Sequence, residues 1–217
     1  VRGYQPGDSL RHINWRANAR HPGDLYTNEF EQERVADVGL ILDGRQRAVV
    51  RGSSEVLFDQ AIMATAALAD SFLNSGNRVS LFLYGSYIDW TLPGYGKLQR
   101  EKILQSLARA TVGDSQVFER LQNIPARLFP SKSQLVLISP LLQADVQILR
   151  RLRSHGYKLM VISPDPFAFE ESLLSAEDHA TEATQIAMRI AQLERALLFR
   201  QMRQAGIRVV NWRIDDQ

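Results

Sequence analysis

Asp43 closes the short apolar run Val38-Gly39-Leu40-Ile41-Leu42 and leads into a turn signal, Asp43-Gly44. A run of this length bounded by a turn reads as a strand buried on both faces, at the centre of a parallel sheet. In an open α/β sheet, ligands bind beyond the carboxyl ends of the strands, so a carboxylate at such a tip is the first place to look for chemistry. Its immediate neighbours are basic: Arg45, Arg47 and Arg51 follow within a Gly-bounded loop, Gly44–Ser54. Asp43 therefore either pairs with Arg45 or Arg47, or caps the turn it begins.

A second concentration of charge lies in the first 34 residues. Arg2, Arg11, Arg16 and Arg20 face only Asp8 before residue 21, and the stretch Leu25–Glu33 alternates so that Glu29, Glu31 and Glu33 share one face of a strand. A basic arm followed by an acidic strand suggests that the two satisfy each other. Other constellations fail. Gly94-Tyr95-Gly96-Lys97 has Thr91 where the first glycine of a phosphate loop belongs, and Leu98 where a magnesium-binding hydroxyl is needed. There is no Gly-x-Ser-x-Gly elbow and no Gly-x-Gly-x-x-Gly. His12, His21, His155 and His179 show no metal-ligand spacing.

The elements that must position these groups follow from composition and pattern. The 217 residues are 45% hydrophobic and 23% charged, which suits one well-buried α/β domain. A net charge of +2 is too mild to imply nucleic acid by itself, and the absence of cysteine excludes disulfides and thiolate metal sites. No apolar run approaches the roughly 18 residues needed to span a bilayer. The chain begins with Val1 rather than Met, and the expectation is a fragment.

Pro6-Gly7 turns the chain, and Asp8 is placed to cap a short helix from about Ser9 to Ala19, stopped by Pro22-Gly23. Beyond the arm, strands are expected at Val38–Leu42, Arg78–Tyr84, Gln134–Ile138, Tyr157–Ile162 and Ile207–Ile214. Tyr87–Leu92 reads as an antiparallel edge strand, followed by a loop Pro93–Gly96. Helices are expected at Val56–Asn74, Lys97–Ala110, Val117–Leu128, Gln143–Ser154 and Thr181–Gln204. The segment Phe167–Glu182 reads as an acidic insertion. In the last helix, Ile186, Ile190, Leu193 and Leu197 recur at helical spacing and are expected to pack into the core, a partner-docking helix being the alternative, with Arg195, Arg200 and Arg203 able to face that insertion. Strands alternating with helices predict parallel βαβ units and a doubly wound sheet.

The order of these elements resembles a von Willebrand factor A-type domain, a Rossmann-like, mostly parallel sheet with one antiparallel edge strand and helices on both faces. Such domains hold a divalent cation with an Asp-x-Ser-x-Ser run at the first strand tip, a Thr from a later loop and an Asp after the fourth strand, all hard oxygen ligands. Here the run reads Asp43-Gly44-Arg45-Gln46-Arg47, with arginines in place of both serines. Ser115 could offer the loop oxygen, and Ser139 stands where the later Asp is expected. The resemblance thus implies a degenerate metal site at Asp43, Ser115 and Ser139.

The front of the chain resembles, more specifically, the domain-of-unknown-function family number 58. Its pattern, Arg-x-Tyr-x-x-Gly-Asp, Arg-x-Ile-Asx-Trp, Ala-x-x-Arg and a strand with Phe-Glu and Glu, is matched by Arg2, Tyr4, Gly7, Asp8, Arg11, Ile13, Asn14, Trp15, Ala17, Arg20, Phe30, Glu31 and Glu33. The strand ending at Asp43, Ile162–Pro166 and Gly206–Trp212 agree more loosely. The resemblance implies a signature arm, 1–34, packing on a von Willebrand A-like domain, 35–217, within a single domain overall. It also implies a non-enzymatic interaction module without cofactor, partnered by MoxR-type AAA+ ATPases and their client proteins. That module would be the cytoplasmic part of an inner-membrane-anchored protein. Within the arm, Arg11, Arg16 and Arg20 would satisfy carboxylates of Glu29–Glu33 and the domain body, and Trp15 and Ile13 would pin the arm to the sheet; the alternative is contact with a partner or anion through Tyr4, Gly7, Asp8, Arg11, Trp15, Arg16, Arg20, Phe30, Glu31, Arg45 and Arg47. Two alternatives stand beside it: metal-dependent ligand binding through Asp43, and nucleic-acid or anion binding through the arm arginines with Arg45–Arg51, which would fall steeply with salt.

Overall fold

Strand alternation places the apolar residues of the central strands on two faces, and helices cover both. The computed structural model describes residues 1–6, 10–21, 23–28, 36–45, 54–85, 87–113, 128–165 and 182–212. The chain divides into two compact units, Val1–Arg34 and Val35–Gln217.

In the first unit, strands β1 (Arg2–Gly3) and β2 (Tyr26–Thr27) pair antiparallel. The single helix expected from Ser9 to Ala19 is instead broken. A 3-10 turn covers Leu10–His12, Ile13 bridges to Thr27, and a one-turn helix α1 covers Trp15–Asn18. The reason is local. Asn14 is the N-cap of α1, its side-chain oxygen accepting the Ala17 N–H at 2.9 Å, while Asp8, expected as a cap, lies outside the described residues. The same side chain donates to Asn28 Oδ1 at 2.8 Å, tying the helix start to the end of β2.

The second unit is built on six strands, β3 (Asp37–Asp43), β4 (Arg78–Tyr84), β5 (Ile88–Gly94), β6 (Gln134–Ile138), β7 (Lys158–Pro164) and β8 (Arg208–Trp212), in the order β5-β4-β3-β6-β7-β8. All neighbours are parallel except β5, which runs antiparallel to β4 at one edge. β5 reaches Gly94, through the Pro93-Gly94 expected in a loop. An edge strand tolerates a proline because it need not donate to a second neighbour.

Parity along the strands sorts the core. Val38, Leu40 and Leu42 of β3, with Val79, Leu81 and Leu83 of β4, lie in the cluster covered by helices α2 (Ser54–Asn74) and α3 (Gly96–Ala108). Ile41, Phe82, Leu135 and Leu137 point the other way, towards helices α4 (Asp145–Ser154) and α5 (Glu182–Gln204). Each fully buried leucine or isoleucine is worth about 1.5–3 kcal/mol relative to exposure, so β3, buried from Val38 onward, anchors both layers.

The sheet order reverses direction at β3: the chain goes to β4 and β5 on one side, then returns to β6 on the other. The topological switch point is therefore the crevice beyond the carboxyl ends of β3 and β6. Its rim is tight. The Gly44 N–H donates to the Tyr84 carbonyl at 2.6 Å, and a Cβ added to Gly85 would stand 2.6 Å from the Gly44 carbonyl oxygen. That obstacle is backbone, which cannot swing aside as a side chain can. Gly85→Ala is expected to cost about 1–3 kcal/mol through overpacking. Thermal denaturation checks this, with a Tm several degrees below wild type expected.

Candidate functional site: a buried guanidinium at the switch point

The residues at the strand tips share a face by the same parity. Asp43 continues the Ile41 side of β3, Tyr84 the Phe82 side of β4, and Ser139 the Leu135–Leu137 side of β6. All face the layer in which α4 packs, and α4 begins with Asp145 in its first turn. Asp43 and Tyr84 are register partners, and Ser139 directly follows Ile138, the partner of Leu42.

Arg45 folds back into the middle of these groups. Its Nε donates to Asp43 Oδ1 at 2.9 Å and its Nη2 to Asp43 Oδ2 at 2.7 Å. On the opposite side, Nη1 donates to Asp145 Oδ1 at 3.1 Å and Nη2 to Asp145 Oδ2 at 2.8 Å. One planar guanidinium thus engages two carboxylates with paired hydrogen bonds on each, a geometry available to arginine and not to lysine. The Arg45 backbone N–H also donates to Asp43 Oδ1, at 3.1 Å. The guanidinium carbon lies 5.4 Å from the centre of the Tyr84 ring, within cation–π range. Arg45 and Asp43 are each 2% exposed, and Ser139 and Asp145 each 1%.

The remaining lone pairs are also used. Ser139 Oγ donates to Asp43 Oδ2 at 2.6 Å and accepts the Leu141 N–H at 3.0 Å. The Leu142 N–H donates to Asp145 Oδ2 at 2.9 Å. To present these amides the β6–α4 loop holds Leu141 at φ 63°, a left-handed conformation that costs a branched L-residue about 1–2 kcal/mol. Leu141 is itself buried, so packing and hydrogen bonding offset that strain.

Burial works against the Arg45 charge, but the hydrogen bonds and charges of Asp43 and Asp145 outweigh it and hold its pKa above the ordinary arginine value. Burial pushes the Asp145 carboxyl up, against the hydrogen bonds and charge of Arg45 and the Leu142 N–H. Burial also pushes the Tyr84 hydroxyl up, and that hydroxyl has no hydrogen-bond partner among the described residues.

A second, half-buried arginine closes the neighbouring strand ends. From α5, Arg195 Nη2 donates to the carbonyls of Ser163 at 3.1 Å and Pro164 at 2.8 Å and to Asn211 Oδ1 at 2.9 Å, while Nη1 reaches the Pro140 carbonyl at 3.2 Å. It lies over the Phe199 ring at 4.6 Å. Burial lowers its pKa, against the charge of Asp165. Arg195 thus faces the carboxyl edge of β6–β8.

The expected site is partly assembled and partly different. Asp43 and Ser139 come together, while Ser115 lies outside the described residues. Of the pairings open to Asp43, the one with Arg45 is formed. Arg45 does not face an outside anion or partner, because both edges of its guanidinium are spent on buried carboxylates. Arg47, Arg51, Gly7, Asp8, Phe30 and Glu31 also lie outside the described residues. In the arm, Tyr4 is half-buried, and Arg11, Arg16 and Arg20 are exposed. Ile13 is buried as expected of a pinning residue, but Trp15, expected to be buried with it, is instead 72% exposed.

Asp145 was not anticipated. The carboxylate expected at position 139 is supplied six residues later, from the first turn of α4, where a helix N-terminus favours negative charge. An Asp at the start of a helix directly after a buried strand was the available signal. These residues do not fit a divalent cation: the oxygens of Asp43, Ser139 and Asp145 converge on Arg45, whose own charge stands among them. Among the described residues, no group of three His, Cys, Asp or Glu side chains could hold a metal ion.

The family model described as "Protein of unknown function DUF58" matches residues 1–170. The chain belongs to this family. A relative of this DUF58 chain, "Uncharacterized protein YeaD" of Bacillus subtilis (strain 168), is 34% identical over 85 residues, covering 39% of the chain and 19% of that protein. The chain thus spans about a fifth of the relative's length. Among solved structures, the conserved hypothetical protein BatB from Bacteroides thetaiotaomicron aligns with a TM-score of 0.43 at 15% identity, over 59% of this chain and 66% of that one. The SpRpn10 VWA domain aligns with a TM-score of 0.43 at 10% identity, over 84% and 90%. No helix among the described residues of this DUF58 chain is long and apolar enough to cross a membrane.

Removing the guanidinium would leave two carboxylates buried against each other. A carboxyl whose folded-state pKa is raised contributes stability below its unfolded value of 3.8, and loses it as the pH rises through the folded value. Arg45→Met is therefore expected to be about 3–5 kcal/mol less stable near pH 7 and to recover part of that loss on acidification. Urea denaturation at neutral and mildly acidic pH checks this; a deficit that grows on acidification contradicts it.

Proposed function

We propose that this chain is a non-enzymatic protein-interaction module that works with an AAA+ ATPase in the assembly or maturation of other proteins. The crevice where an open α/β sheet ordinarily takes a ligand is filled by the chain's own arginine, with its carboxylates and hydroxyl committed to one another. Recognition then falls to the outer surface. The observation that carries the proposal is the exposure of Trp15, 72% open to solvent, in a segment whose Arg11, Arg16 and Arg20 are exposed with it. Tryptophan and arginine are the residue types most often found as anchors of protein interfaces, and an exposed tryptophan costs solvation that a partner would relieve. The assignment of an AAA+ ATPase as that partner comes from the DUF58 resemblance.

Affinity capture tests it. The chain, immobilised and exposed to lysate from cells expressing a MoxR-type AAA+ ATPase, is expected to retain the ATPase. Trp15→Ala is expected to weaken retention by the roughly 2 kcal/mol or more of an interface anchor. Failure to recover the ATPase, or recovery undiminished by Trp15→Ala, contradicts the proposal.

A further inference from the structure

Helix α5 departs from the sequence expectation. Leu198, Phe199 and Met202, near its carboxyl end, are buried in the core. Ile186, Ile190, Leu193 and Leu197, expected in the core, are instead 51%, 52%, 65% and 57% exposed. Their spacing is four, three and four residues, which is the d-a-d-a order of a heptad seam, and it extends roughly 17 Å along the helix at 1.5 Å per residue. A surface helix of a globular domain ordinarily turns such a stripe to its own core. Here the stripe faces outward, on the same helix whose far end is fixed to the sheet.

The residues flanking the stripe indicate what covers it. With Ile190 at a and Leu193 at d, Arg189 falls at g and Glu194 at the following e. In a parallel pair of identical helices, g of one chain faces the following e of the other. Arg189 would then meet the partner copy's Glu194, twice by symmetry. In an antiparallel pair the like positions meet, arginine against arginine and glutamate against glutamate, which is repulsive. Both side chains are exposed, and neither forms an ion pair among the described residues.

We infer that the outward face of α5 is a self-association seam, on which a second copy of this chain docks its own α5 in parallel. The stripe is self-complementary, as a two-fold interface requires. The seam is short, so the association belongs to the micromolar-to-millimolar range and is governed by concentration. This inference is independent of the ATPase proposal, because it involves neither Trp15 nor the arm.

Sedimentation velocity on the whole chain, from micromolar towards millimolar concentration, tests it. The wild type is expected to shift from monomer to dimer. Leu193→Glu places a charge in the seam and is expected to raise the dissociation constant by about tenfold or more. Arg189→Glu and Glu194→Arg should each weaken the dimer, and the double reversal should restore it. All three positions are exposed, so these variants are expected to keep the wild-type circular dichroism. A chain that stays monomeric throughout overturns the inference, whether or not it then binds anionic lipid vesicles through α5. So does a dimer indifferent to Leu193→Glu, or one that the double reversal fails to restore.

Discussion

The guanidinium of Arg45, held between the carboxylates of Asp43 and Asp145, is the constraint on which the rest of the second unit depends. Three elements meet there: the end of the central strand β3, the turn after it, and the first turn of α4. A fourth, the end of β6, joins through the Ser139 hydroxyl. A doubly wound sheet leaves an opening where its strand order reverses. In this chain that opening is closed by a side chain from the turn that follows the central strand.

The energetics of such a cluster are asymmetric. Forming a buried ion pair gains little net stability, since desolvation of the charges consumes most of the attraction, whereas breaking one by removing a partner is expensive. The cluster carries two carboxylates and one guanidinium, so its balance also relies on the Ser139 hydroxyl and the amides of Leu141 and Leu142. What it provides is definition: the arginine can satisfy both carboxylates only with β3, β6 and α4 in one arrangement. Arg195 plays a similar part along β6–β8 with neutral acceptors, binding strand-end carbonyls. Arg45 thus ties β3 to α4 through carboxylates, and Arg195 ties the ends of β6 and β7 to α5 through carbonyls.

The elements with the strongest local signals were legible in the sequence. Arg78–Tyr84 and Gln134–Ile138 form strands with the expected bounds, and the antiparallel edge strand lies where expected. The arm was less so. The competing cap at Asn14 and the bridge at Ile13 divide what looked like one helix, and such side-chain and bridge contacts leave no periodic trace. At the site, Asp43 and its pairing with Arg45 were within reach because they are two residues apart. Asp145 was not, because it is a hundred residues from Arg45 and lies on a helix rather than at a strand tip. The stripe on α5 was visible as a period. Which way it faced was not, since a helical period records that a face is apolar and not whether the chain itself supplies the partner.

The position of Arg45 also explains why arginine, and not a smaller cation-compatible residue, stands two residues after Asp43. It supplies in covalent form the positive charge that a pair of buried carboxylates demands. Thermal denaturation of the wild type and Arg45→Ala, each with and without millimolar magnesium or manganese and against sodium chloride of equal ionic strength, tests this most directly. The wild type should be indifferent to the divalent ion. Arg45→Ala should melt well below it and regain part of the loss with the divalent ion alone. A wild type stabilised by the divalent ion, or an Arg45→Ala variant as stable as wild type without it, would contradict the account.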